Sequence, residues 1–126
     1  MRASQGPGVA GVSTTVYTVA QAEAGKAAYS EVCASCHADD LSGGGDPPQL
    51  AGADFIASWK SRTTRDLFQS LQRMPPGGPT LTAEQYLAIA AYILKENGAK
   101  AGGQSLTEST LALLGSIATG ERPVQP

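Results

Sequence analysis

Cys33 and Cys36 stand three positions apart and His37 follows at once, giving Cys33-Ala34-Ser35-Cys36-His37. Two thiols at that spacing with an adjacent imidazole make a covalent haem attachment site. The thiols add to the two vinyl groups on one porphyrin edge, and the histidine is left beneath the iron as an axial ligand. The chemistry implied is electron transfer. Other uses of the pair fit less well. A structural zinc site needs four ligands, and no second Cys/His pair exists in the chain. A thioredoxin-like redox pair belongs among alternating strands and helices, whereas the apolar periods here are helical wherever they are clear. A Cys33–Cys36 disulfide accounts for the thiols and leaves His37 without a role.

Haem iron that only transfers electrons keeps two axial ligands in both oxidation states. His37 is the one histidine, and of the two methionines Met1 is terminal, which leaves Met74 as the second ligand. Pro75, Pro76 and Pro79 stiffen the loop around it, and Gly77 and Gly78 let backbone approach the porphyrin closely. A lone methionine is ordinarily core filler; the attachment motif and the Pro/Gly loop reverse that reading. A ligating histidine needs its other ring nitrogen hydrogen-bonded. A backbone carbonyl from Pro47-Pro48, with Pro48 eleven positions past His37, is the natural acceptor, a stiff turn being the other use of these prolines. Trp59 either donates its indole N–H to a haem propionate or simply fills the core. Leu50, Phe55, Leu67, Phe68 and Leu71 are assigned to the pocket wall.

A chain of 126 residues supports one domain with a modest core. Aromatic content is only 6%, so a buried haem would supply missing apolar volume. The formal charge of −2 argues against nucleic-acid binding. No run approaches the roughly 20 apolar residues of a membrane span. No apolar stretch follows Met1-Arg2, so no signal peptide is visible. The compartment is read from haem attachment instead, which points to a periplasmic or extracytoplasmic protein.

These side chains must be positioned by helices. Residues 1–16 read as an extended lead-in or linker, 17–98 as the haem domain, and 99–126 as a C-terminal extension with a short docked helix near 108–118. Thr18 to Gln21 fits a capping box that opens a helix. Ala20, Ala24, Ala27, Ala28 and Val32 make its apolar stripe. Gly25, which costs about 1 kcal/mol against alanine within a helix, is explained if another helix packs on its bare backbone. A Gly/Pro loop follows from Ser42 to Pro48. A short helix carries Phe55, Ile56 and Trp59, and another starts at Thr63 with Leu67, Phe68 and Leu71 on its apolar side. Thr82 and Gln85 form a second capping box, and Tyr86, Ile89, Ala90, Ile93 and Leu94 follow at helical spacing. Lys95 and Gly98 end this strongest helix. Residues 101–104 read as a flexible connector and 121–126 as a frayed tail. Lys60, Arg62, Arg65 and Arg73 form a basic run that can steer an acidic partner, with Asp39, Asp40 and Asp46 on another flank.

Over residues 16–117 the chain resembles a class I cytochrome c of the small bacterial kind. The resemblance is carried by Gly25-Lys26-Ala27-Ala28-Tyr29, the Cys33-Ala34-Ser35-Cys36-His37 motif, Pro48-Gln49-Leu50-Ala51-Gly52, Trp59, Met74-Pro75 and the helix from Ala83 to Asn97, in that order. It implies an all-α fold, three main helices plus short helices and loops wrapped around one covalent haem c. It also implies His37/Met74 ligation, a Pro48 carbonyl on the histidine, and first and last helices crossing where Gly25 meets Tyr86 or Tyr92. Val16-Tyr17-Thr18 and the tail with Leu111 and Leu114 are similar to haem domains associated with quinoprotein alcohol or sugar dehydrogenases. The expected function is single-electron relay, without catalysis of its own, from a periplasmic dehydrogenase to an oxidase or another cytochrome. The alternative is a haem sensor that binds CO or NO after loss of a dissociable Met74.

Overall fold

Thr18, Thr63 and Thr82 each stand just ahead of a helix and each turn a hydroxyl onto the first-turn backbone. In the computed structural model, which describes residues 15–33, 41, 50–73 and 81–120, the elements are α1 (Val19–Val32), α2 (Ala53–Trp59), α3 (Thr64–Leu71), α4 (Ala83–Glu96) and α5 (Leu114–Ile117). Among the described residues there is no strand. Thr63 and Leu113 form an isolated antiparallel bridge. The all-α fold expected of a cytochrome c is what the chain adopts. The lead-in before Thr15, the whole Ser42–Pro48 loop and the tail from Glu121 lie outside the described residues.

Both capping boxes at α3 and α4 are complete: Thr63 pairs reciprocally with Asp66, and Thr82 with Gln85. At α1 only half of the expected box forms. The Thr18 hydroxyl accepts from the Gln21 N–H at 3.1 Å. The Gln21 carboxamide, however, turns to Leu106, donating to its carbonyl at 3.0 Å and accepting from its N–H at 2.8 Å. A second segment thus takes the side chain that the cap would have used.

The apolar stripe of α1 also differs from the expected one. Ala20, Ala24 and Ala27 are exposed, and the buried face is Ala22, Gly25 and Tyr29. Alanines on several faces make the period ambiguous, and the partner helix decides. A Cβ built on Gly25 would fall onto the Ala88 carbonyl and lie 2.9 Å from the Ile89 nitrogen. Gly25 therefore meets the backbone of α4 at Ala88 and Ile89. The aromatic contact sits one turn further on, where Tyr29 and Tyr92 pack with ring centroids 5.4 Å apart and planes tilted by 53°.

α4 is buried nearly all round, from Tyr86 through Leu94, and is covered chiefly by α1 and secondarily by α3. The sequence pattern predicts a single stripe; burial on further faces marks a central helix. Its end is a Schellman motif, with Gly98 at φ 92°, its N–H on the Lys95 carbonyl and the Ala99 N–H on the Leu94 carbonyl.

Residues 99–120 run back over the other helices. The Gly102 N–H donates to the Tyr17 carbonyl at 2.8 Å, so the expected flexible connector is pinned. The Thr64 hydroxyl donates to the Thr110 carbonyl at 2.7 Å, and the Thr64 N–H to the Ala112 carbonyl at 2.9 Å. Leu106, Leu114 and Ala118 join the same buried cluster as α1, α3 and α4. The docked helix is four residues long, Leu114–Ile117, and the rest of this stretch is irregular backbone with a turn at 108–109.

Tyr17, buried, donates to the Ala99 carbonyl at 2.5 Å and ties the start of the helical body to this return segment. Burial, with the Glu96 carboxylate adding, pushes its hydroxyl from 10.0 up to about 12.

Two outcomes follow from this packing. Gly25→Ala should destabilise the protein by about 2 kcal/mol despite alanine's better helix propensity, because the methyl overlaps backbone that cannot move aside. A denaturant titration showing a neutral or stabilising effect would contradict the close crossing. Tyr17 favours the folded state fully below pH 10, and that contribution fades as pH rises toward 12, since the unfolded chain loses the proton first. Tyr17→Phe should therefore flatten the decline of stability over that window.

Candidate haem site

α1 ends at Cys33, whose backbone N–H closes the last turn on the Tyr29 carbonyl at 2.8 Å. Its side chain is half-buried and packs on the apolar cluster. The first thiol of the motif is thus delivered by a helix whose orientation is set at Gly25 and Tyr29. Cys36, His37, Pro48 and Met74 lie outside the described residues, as do Asp39, Asp40 and Asp46.

Leu41 is fully buried and holds a left-handed conformation at φ 64°, which is costly for a branched side chain. Its carbonyl accepts from the Leu50 N–H at 2.8 Å, so the chain leaving the motif returns to its own base at Leu50. Leu50 is half-buried against the cluster. The next residues are held by Asn97, which is wholly inaccessible. Its Oδ1 accepts from the Gly52 N–H at 2.9 Å and its Nδ2 donates to the Leu50 carbonyl at 2.9 Å.

Trp59 closes α2, half-buried. One face stacks on Phe55, with centroids 5.8 Å apart and planes 17° from parallel, and the Arg62 guanidinium lies 4.3 Å from its ring centroid. No described residue accepts from its indole N–H. Leu71 is buried beside Phe68 and Leu67 in the core. The basic run is exposed but partly engaged: Arg65 donates to the Glu108 carbonyl at 3.2 Å and Arg73 to the Ser70 hydroxyl at 3.3 Å. The backbone N–H of Thr63 first, with Arg62 and Arg65 adding, holds the Asp66 carboxyl below the usual carboxylate range.

Sequence reasoning missed Asn97 and Leu41. Asn97 stands beside a glycine at a helix end and reads only as part of a C-cap; its remote bonds have no local signature. Leu41 follows Asp39-Asp40 and precedes a Gly-rich run, a context that suggests an exposed loop.

The donor chemistry suits a covalent haem. A thiol half-covered by an apolar cluster at a helix end, in a Cys-x-x-Cys-His context, is what thioether attachment takes. The family model described as cytochrome c oxidase, cbb3-type, subunit III matches residues 20–93, more than half of the chain and the whole span from α1 into α4. The chain belongs to this family. It is a c-type cytochrome domain, carrying covalently bound haem c and transferring electrons to and from redox partners, and is not catalytic by itself. Cytochrome c domains of this family are generally extracytoplasmic. Comparison with curated proteins and with solved structures gave no match. Among the described residues, no helix is long and apolar enough to cross a membrane.

The Trp59 stack carries its own expectation. Removing Arg62 and Trp59 singly and together, as Arg62→Ala and Trp59→Leu, should reveal a coupling of about 0.5–1 kcal/mol in a double-mutant cycle. Strictly additive losses would mean that the guanidinium contributes nothing through the ring.

Proposed function

We propose that this cytochrome domain is a single-electron relay whose haem c is attached through Cys33 and Cys36, with His37 and Met74 as the axial ligands. The observation that carries the proposal is the attachment motif starting at Cys33, the C-cap of α1, inside the span matched to the family. Bound there, haem c supplies a one-electron Fe(III)/Fe(II) couple. Met74 presents a soft sulfur that favours the reduced iron and raises the potential relative to a second histidine. The Pro48 carbonyl accepts from the distal ring nitrogen of His37 and fixes the tautomer that leaves the other nitrogen free to ligate. Trp59 donates to a propionate, and Leu50 and Leu71 exclude water from the pocket.

Residues 17–98 form the haem domain in this reading, 99–126 an extension laid over it, and 1–16 a linker. The donor is a periplasmic dehydrogenase of the quinoprotein type, as a domain or a subunit; the acceptor is an oxidase or another cytochrome. The family description, naming an oxidase subunit, supports an oxidase on the acceptor side.

Met74→Ala should abolish the weak far-red sulfur-to-iron band of the oxidised protein; an unchanged spectrum would refute the ligand. Cys33→Ala should leave one thioether link and shift the pyridine haemochrome band, whereas an unshifted band would mean that Cys33 is not attached. Reduced wild-type protein should resist CO, and ready binding would favour a ligand sensor instead.

A further inference from the structure

Asn97 does more than end a helix. The Schellman bonds of Gly98 and Ala99 already close α4 through backbone alone, so the cap leaves the Asn97 side chain available for other contacts. That side chain is fully buried and makes three hydrogen bonds. One is local, from Nδ2 to the Ile93 carbonyl at 2.8 Å. The other two reach 45 and 47 positions back along the chain, to the Gly52 N–H and the Leu50 carbonyl. Leu50 is consequently held from both sides, its N–H by Leu41 and its carbonyl by Asn97. The Asn97 carbonyl also accepts from Gly120 at 2.8 Å, and a Cβ on Gly120 would stand 3.3 Å from the Gly52 carbonyl, so this corner is closed on a further side. A buried carboxamide with both N–H groups and its oxygen bonded fixes backbone far more tightly than an apolar contact would.

We infer that Asn97 is a positioning residue for the histidine side of the haem. It acts through Leu50 and Gly52 on the segment that Pro48 precedes by two residues, and so sets how well the Pro48 carbonyl accepts from His37. This rests on the ligand and Pro48 assignments proposed above.

The test uses the full haem-loaded chain with Asn97→Ala and Asn97→Ser. The serine hydroxyl can keep the bond to the carbonyl four residues back while losing both remote ones, which separates helix closure from loop holding. Gln21→Ala is the control, because it removes two equally long-range bonds, to Leu106, from another part of the fold. The readouts are the midpoint potential and the solvent exchange of the His37 ring N–H by proton NMR. Both Asn97 variants should raise the potential, since a less well held carbonyl makes the imidazole less basic, and both should speed ring N–H exchange. Gln21→Ala should lower stability and leave both readouts at wild-type values.

Asn97 variants that lose stability with potential and exchange unchanged would make Asn97 a tether only and overturn the inference. A potential shift without faster exchange overturns it too, because the effect would bypass the histidine. An equal shift in Gln21→Ala does the same. Wild-type protein lacking the two-thioether haemochrome or the far-red band would instead refute the ligand reading, and the inference with it.

Discussion

The close approach of α1 to α4 at Gly25 is the constraint from which the rest of the arrangement descends. With no side chain at that point, the two backbones come into direct contact at Ala88 and Ile89. The crossing puts Tyr29 against Tyr92 one turn later and brings the C-cap of α1, Cys33, onto the edge of the apolar cluster. A helix is stiff over this length, so a contact at its middle fixes where its end delivers the first thiol. The chemistry of the motif is therefore aimed by a residue eight positions upstream that takes no part in it.

α4 is the common partner. Being buried on most faces, it needs cover from several directions, and a chain with few aromatic residues supplies that cover economically by returning residues 99–120 across its own helices. The return segment is held by hydrogen bonds to specific groups as well as by apolar burial. Tyr17, Gln21, Arg62 and Thr64 each give polar atoms to it. Its burial of Leu106 and Leu114 extends the core beyond the span matched to the family. Asn97 joins the two systems, with its side chain on residues 50 and 52 and its carbonyl on Gly120.

Most helices were legible in the sequence because their start signals are local. The threonine caps of α1, α3 and α4, the glycine after α4 and the short apolar run of α2 all act within a few residues, and each appears where those residues stand. The face that α1 buries was not legible. Alanines allow several stripes, and only the presence of α4 selects Ala22, Gly25 and Tyr29. The same holds for Gln21, whose carboxamide had a good local use and found a better remote one. Leu41 and Asn97 are cases of a second kind, in which an unremarkable local setting conceals a buried residue with long-range bonds.

The sequence by itself determined the helical class and the helix ends, and it carries the motif on which haem attachment is proposed, because hydroxyl caps, glycine conformations and thiol spacing depend on neighbours along the chain. Only the tertiary structure decided which helix faces meet, how the C-terminal stretch is bound, and that Asn97 grips the segment after Pro48. Those outcomes depend on groups brought together from 45 to 85 positions apart, and their pairing is set by packing that no short window contains.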